Sequence, residues 1–259
     1  MSETTINQPA KMISIKELFK LSLAVYPTIF WKTFKILILP LLVLVPVGII
    51  ISLTALVNYA SLNANLETAL FVVLAVLGLV GVIFFIVVMY IAQIAAMIVV
   101  QKNDPHLGVK EALLLAKGQA FSFLKTSLLA GLFVLLWALL FIIPGLVMCI
   151  YYTFISWAVL SEGLSGKKAL ERSKDLVRNY WWAVFWRSIL PTIIIGIVFG
   201  ILSAMLVPPA TPGMPVEYTA GQRINDLLTQ IISLVITPFF VAYSYNMYKS
   251  LVAIKDKKV

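Results

Sequence analysis

The residues of this chain best placed to do chemistry are basic and aromatic. Lys167, Lys168, Arg172, Lys174 and Arg178 crowd into one short segment, and Trp181 and Trp182 follow directly. Cations grouped this way hold anions: a guanidinium presents a fork to phosphate or carboxylate, and an ammonium acts as a point charge on a flexible stem. Tryptophan rings next to them settle at the head-group depth of a bilayer. The segment also has helical rhythm. Ala169, Leu170, Ser173, Leu176, Val177, Tyr180 and Trp181 recur on one face, and the charged residues fill the other. This spacing predicts an interfacial helix over about 165–179, whose cations approach anionic lipid head groups or an acidic partner at up to ~1 kcal/mol each.

Little else has the makings of a site. His106 is the only histidine and follows Asp104-Pro105 in a polar connection, so neither a second imidazole for a metal nor a Ser, His and acid set accompanies it. The only cysteine, Cys149, falls in an apolar stretch and excludes an internal disulfide or a cysteine-built metal cluster. No catalytic residue, cofactor site or metal site is expected, and the chain reads as a non-enzyme. Gln230, Ser233, Thr237 and Ser244 share or nearly share one helical face, where such side chains bond neighbouring helices or their own main chain.

The elements that carry these residues are set by composition. With 61% hydrophobic and 12% charged residues and a mean hydropathy of +1.01, the chain departs from a soluble domain, where about a quarter of residues are charged. A spanning helix needs about 20 mostly apolar residues. Such stretches cover about 36–57, 68–100, 126–161, 188–207 and 227–248. The third is too long for one crossing, and Pro144-Gly145 divides it into spans at 126–143 and 145–161.

Charge agrees with six crossings. Of the 20 Lys and Arg residues, 19 then fall on one side, and only Arg223 falls on the other. A single crossing over 126–161 would split them evenly. Basic connections stay in the cytoplasm, so both termini are expected there, in a multi-pass protein of the cytoplasmic (inner) membrane. The same rule accounts for the net charge of +9 without nucleic acid. The first apolar run begins too late for a removable signal peptide, and Ser2 and the Lys257-Lys258-Val259 ending lack acylation and prenylation signals.

Three segments on the basic side resemble one another: Ile13-Ser-Ile-Lys-Glu-Leu, Leu107-Gly-Val-Lys-Glu-Ala and Leu164-Ser-Gly-Lys-Lys-Ala. In each, an apolar residue precedes a Ser or Gly suited to cap a helix, and Leu18, Ala112 or Ala169 follows at the spacing of a hydrophobic staple. Ser14 and Glu17 complete a capping box. Each segment precedes two spans. The fold class expected is therefore all-α: one polytopic membrane domain over 1–259, built as three units of amphipathic interfacial helix (about 14–26, 108–121 and 165–179) plus helical hairpin.

Span five carries Gly196, Gly200 and Ala204 at intervals of four, a pattern that permits close helix approach within the chain or between copies. Pro40, Pro46, Pro144, Pro191 and Pro238 imply kinks or breaks. Residues 207–223, with four prolines, read as an irregular outer loop.

The stretch Ile142-Ile-Pro-Gly-Leu-Val-Met-Cys-Ile-Tyr-Tyr152, with Ala158-Val-Leu-Ser-Glu-Gly163, Lys168-Ala-Leu-Glu-Arg-Ser-Lys174 and Asn179-Tyr-Trp-Trp182, resembles the six-span bacterial family grouped around the membrane domain of glycerophosphoryl diester phosphodiesterases. That resemblance covers about residues 140–190 and implies a stand-alone membrane protein. The soluble catalytic domain of the fused members has no counterpart here, so phosphodiesterase activity is not implied. Two functions from different classes follow. The first is an accessory or scaffold protein that contacts the bilayer's anionic lipids, a membrane-protein partner or a second copy through its basic face. The second is a small permease or exporter component for an apolar or amphipathic solute.

Overall fold

A computed structural model of the chain describes residues 12–59, 64–206 and 220–256. They form eight helices: α1 (Ile15–Tyr59), α2 (Ala64–Lys102), α3 (Val109–Leu140), α4 (Ile142–Tyr151), α5 (Ile155–Glu162), α6 (Lys167–Arg178), α7 (Trp181–Leu206) and α8 (Ala220–Asp256). Six stretches are long and apolar enough to cross a membrane: within α1, α2, α3, α7 and α8, and over Ile142–Glu162, where α4 and α5 follow end to end. The protein is an all-α, polytopic membrane protein with the six expected spans. The outer loop expected at 207–223 lies outside the described residues up to 219.

The amphipathic segments differ among themselves. The third is a helix of its own, α6. The first and second are the opening turns of α1 and α3, which run on into their spans without interruption. Extending a helix by one residue gains a hydrogen bond for each residue fixed, whereas starting a new one does not. Nothing in the first two segments stops that propagation. In the third, Asn179 closes α6 and the Tyr180 N–H turns back to the Val177 carbonyl at 2.8 Å.

Of the kinks or breaks expected at the prolines, no break occurs within α1, α7 or α8. Pro27, Pro40 and Pro46 lie inside α1, Pro191 inside α7 and Pro238 inside α8, all in unbroken helix. The hairpin turn is not at Pro144-Gly145 but at Phe141, the single extended residue between α3 and α4 (φ −157°, ψ 142°). Pro144 sits in the first turn of α4, where a missing N–H costs nothing. Gly145 serves the crossing instead: a Cβ there would lie 2.7 Å from Ala138 Cβ and 2.8 Å from its Cα.

The chain divides into two compact units, one from Pro27 to Ala120 and the other made of the residues up to Tyr26 and from Phe121 onward. In the first, α1 and α2 approach through Gly78 and Gly81, which face Ile50 and Val47; a Cβ on Gly81 would meet Val47 Cγ2 at 2.8 Å. Three steps along one helix match three steps back along the other, so the pair is antiparallel. At the end of α2, Lys32 Nζ donates to the carbonyls of Asp104 (2.8 Å) and Pro105 (2.6 Å), a cation on carbonyls just past a helix C-terminus. Thr28 donates to the Asn103 side chain at 2.9 Å. His106 is exposed, in a turn that Asp104 Oδ1 closes by accepting the His106 N–H at 2.8 Å.

In the second unit the capping box forms at its Ser14 arm: the Glu17 N–H donates to Ser14 Oγ at 3.2 Å, and Leu18 is fully buried. The opening of α1 packs on α8 through Phe19, whose ring lies 5.2 Å from Phe239 and 5.4 Å from Tyr243, and through Asn246, which donates to Ser22 Oγ at 3.1 Å. Arg187 of α7 turns inward and donates to the carbonyls of Ile13 (2.9 Å) and Met12 (3.4 Å), which precede α1.

Candidate functional site

The site is assembled from the break in the fourth span. Between α4 and α5, residues Tyr152-Thr153-Phe154 leave the helical path, so main-chain groups lose their partners in a segment that belongs to the membrane. Ser173 of α6 takes up two of them. Its hydroxyl donates to the Tyr151 carbonyl at 2.7 Å and accepts the Phe154 N–H at 3.1 Å. Ser173 is fully buried, as are Ala169, Leu176 and Val177 around it. The apolar stripe read from the sequence is therefore the face by which α6 docks onto protein.

The loop that delivers α6 is equally determined. Gly163 closes α5 in the left-handed region (φ 64°), and both its N–H and that of Leu164 reach back to the Ala158 carbonyl, the latter at 3.3 Å, which meets one of the last carbonyls of the helix. The cap of α6 is Gly166 rather than Ser165. Its φ of 58° and ψ of −132° suit glycine, and its N–H is met from α3 by Thr126 Oγ1 at 2.8 Å.

Of the residues expected to face lipid, two, Arg172 and Trp181, bond to protein groups instead. Arg172 turns toward protein. Its Nε lies 2.8 and 2.9 Å from the two carboxylate oxygens of Glu162, at the end of α5, and its Nη2 lies 3.7 Å from Asp256, at the end of α8. Tyr248 donates to the same Glu162 at 2.6 Å. Burial on its own would lower the Arg172 pKa; the hydrogen bond and charge of Glu162, aided by Asp256, outweigh it and raise the value. A cation so held joins α5, α6 and α8. In the sequence Glu162 stands out only as part of the Ser-Glu-Gly pattern of the family resemblance. The signal was an acid at the end of an apolar span, with an arginine ten positions on.

Lys167, Lys168, Lys174 and Arg178 are exposed on the outer face of α6. The acids there are already engaged: Glu171 lies 3.9 Å from Lys167, and Asp175 accepts from Lys255 of α8 at 2.8 Å. Lys174 Nζ sits 5.9 Å from the centre of the Tyr151 ring. The two tryptophans part company. Trp181 donates from Nε1 to the Val147 carbonyl of α4 at 3.2 Å and stacks on Phe185 at 5.2 Å. Trp182 is 66% exposed and Trp186, one turn on, is 50% exposed.

The same compact unit carries several concavities. A groove of about 430 Å³ between α5, α6 and α8 is lined by Glu162, Arg172, Tyr245, Tyr248, Lys249 and Asp256; its opposite charges largely face one another. An apolar groove of about 330 Å³ runs along α4 and the end of α3, lined by Trp137, Ile143, Pro144, Val147 and Met148. A smaller apolar one of about 170 Å³ lies among Leu23 and Tyr26 of α1, Ile195 of α7, and Val235, Ile236 and Phe239 of α8. On the polar face of α8, the hydroxyl of Ser244 accepts the Trp157 Nε1–H at 2.9 Å, and that of Thr237 returns to the Ser233 carbonyl at 2.6 Å.

No curated protein and no solved structure matches the chain. The family model described as Domain of unknown function (DUF7847) matches residues 113–251. The matched stretch holds the hairpin turn at Phe141, the broken fourth span, the whole of α6 and the Glu162, Arg172 and Tyr248 cluster. The chain belongs to the DUF7847 family.

Proposed function

We propose that this protein is a non-enzymatic component of the bacterial cytoplasmic membrane, an accessory or scaffold that holds anionic phospholipid against the outer face of α6. One observation carries this reading. The apolar face of α6 is fixed to α4 and α5 through Ser173, the two acids on its outer face have cationic neighbours, and three cations besides the paired Lys167 remain exposed there beside Trp182 and Trp186. A surface of this kind attracts acidic head groups at up to ~1 kcal/mol per basic residue. The 19 basic residues on one side of the six-span topology support a cytoplasmic orientation for that face. The likeness to the phosphodiesterase membrane domains belongs to the same reading, because its residues Glu162, Gly163 and Ser173 are those that join α5 to α6.

The test is lipid retention by the purified full-length protein in native mass spectrometry. Exchanging Lys167, Lys168, Lys174 and Arg178 for Gln, with Arg172 left in place, should cut bound phosphatidylglycerol at least tenfold; undiminished retention overturns the reading. Reporter fusions after residues 62 and 215 test orientation, and a cytoplasmic signal at either refutes it. A second reading, a small permease for an amphipathic solute, draws on the apolar groove of about 170 Å³ among α1, α7 and α8. Proteoliposomes that move no labelled amphiphile would end it.

A further inference from the structure

We propose that the groove between α3 and α4 is a phospholipid site: it takes an acyl chain of an anionic lipid whose head group is held at Lys174. The inference rests on the lipid-holding role of α6 and adds to it a single bound molecule with a defined place.

The groove is apolar along its whole lining, from Trp137 and Ile143 through Pro144 to Val147 and Met148. It occurs in two segments that are long and apolar enough to cross a membrane, so acyl chains are the medium that surrounds it. A bare apolar hollow at that depth would hold chains without choice. This one does not end blindly. Pro144, Val147, Met148 and Tyr151 follow at spacings of three and four along α4 and so share one face, and the Tyr151 ring carries Lys174 at 5.9 Å. From Ile143 to Tyr151 the helix advances about 12 Å, a distance that much of an acyl chain spans. The sequence along this face is thus apolar hollow, aromatic ring, cation, which is the order of parts in an acidic phospholipid.

Further contacts join this face to the aromatic rings that open α7. Trp181 binds the Val147 carbonyl at 3.2 Å, and the rings of Trp181, Trp182, Phe185 and Trp186 form a continuous edge. Such rings mark the head-group boundary. Lys174 is exposed on α6, the helix that Ser173 locks to Tyr151 itself. The cation that would meet the phosphate and the helix that would hold the chain are therefore set at a fixed distance by one hydrogen bond. A protein partner would bring no apolar tail into a hollow inside the bilayer, and a free phosphate would ignore it. The occupant that uses both parts is a long-chain anionic phospholipid.

The experiment compares dioleoyl with dihexanoyl phosphatidylglycerol, and dioleoyl phosphatidylglycerol with dioleoyl phosphatidylcholine, on the detergent-extracted full-length protein by native mass spectrometry. Wild type should retain the long-chain anionic lipid at least tenfold better than either other lipid. Val147→Trp, which fills the hollow, should erase most of the chain-length preference that wild type shows beyond its detergent background while keeping the preference for the acidic head group. Lys174→Gln should do the reverse. Met148→Trp serves if Val147→Trp fails to fold, judged by its melting temperature. A folded groove-filling variant that keeps the full chain-length preference overturns the proposal. If that happens while the four-charge variant still loses phosphatidylglycerol, the lipid-holding role of α6 stands and only the groove assignment falls. If the four-charge variant retains its lipid, the broader role falls first.

Discussion

The hydroxyl of Tyr243 on α8 donates to the carbonyl of Arg187 on α7 at 3.0 Å, and Arg187 is the residue four before Pro191. Proline has no N–H to return to that carbonyl. Tyr243 supplies from a neighbouring helix the hydrogen bond that α7 cannot make for itself, which is how a proline is carried inside a spanning helix without a break.

This relation predicts a measurable coupling. Tyr243→Phe should cost about 1–2 kcal/mol of stability by leaving a part-buried carbonyl unmet. Pro191→Ala restores an N–H to α7, so the same Tyr243→Phe exchange in that background should cost clearly less. A double-mutant cycle read from thermal unfolding in detergent measures the difference, and strictly additive effects would refute the account.

Ser173→Ala should be among the most damaging small changes in the protein. It leaves the Tyr151 carbonyl and the Phe154 N–H without the partner they share, at about 1–3 kcal/mol for each unsatisfied group. Circular dichroism melts in detergent should show a lowered Tm. A variant that melts with wild type would mean that the break between α4 and α5 has another support.

Glu162→Gln should destabilise by about 1 kcal/mol or more, because it removes the charge that faces the Nε–H of an arginine whose side chain is only 24% exposed. Replacing both partners, as Glu162→Gln with Arg172→Met, should recover part of that loss, since no half-buried charge is then left alone. If the double variant is worse than the sum of the singles, the pair is not the unit that joins α5, α6 and α8.

Glycines separate crossing points from faces with open space. Gly145→Ala sets a methyl 2.7 Å from Ala138 Cβ and should cost about 1–3 kcal/mol by forcing α4 from α3. Gly200→Ala meets nothing within 4 Å and should leave the Tm unchanged or raise it. Equal damage at both positions would indicate that α7 is in close contact with another copy.

The contrast between what was and was not readable follows the range of the forces involved. Hydrophobic length is a property of consecutive residues, so the six spans were legible, and so was the stripe of Ala169, Leu170, Ser173, Leu176, Val177, Tyr180 and Trp181, of which the first five are buried and the last two partly so. The stripe did not say what it would be buried against. Arg172 illustrates why: on the polar face of one helix, an arginine that meets water and one that meets a carboxylate look alike until the chain has folded, and its second partner, Asp256, comes from α8 at the far end of the sequence. Pro144 misled for a local reason. The residue restricted by a proline is the one before it, yet the first turn of a helix admits proline freely, so Pro-Gly signalled a boundary three residues later than the extended Phe141 that makes it.

The bridge that Ser173 makes to Tyr151 and Phe154 also bears on the order in which the protein is made. The fourth span is synthesised with two main-chain groups that nothing upstream of it satisfies, and their partner arrives from the ribosome about twenty residues afterwards. That crossing is thus finished from outside itself, by a segment translated after it. Biogenesis of the hairpin and docking of α6 become one event, and a nascent chain halted before residue 173 would hold its fourth crossing incomplete.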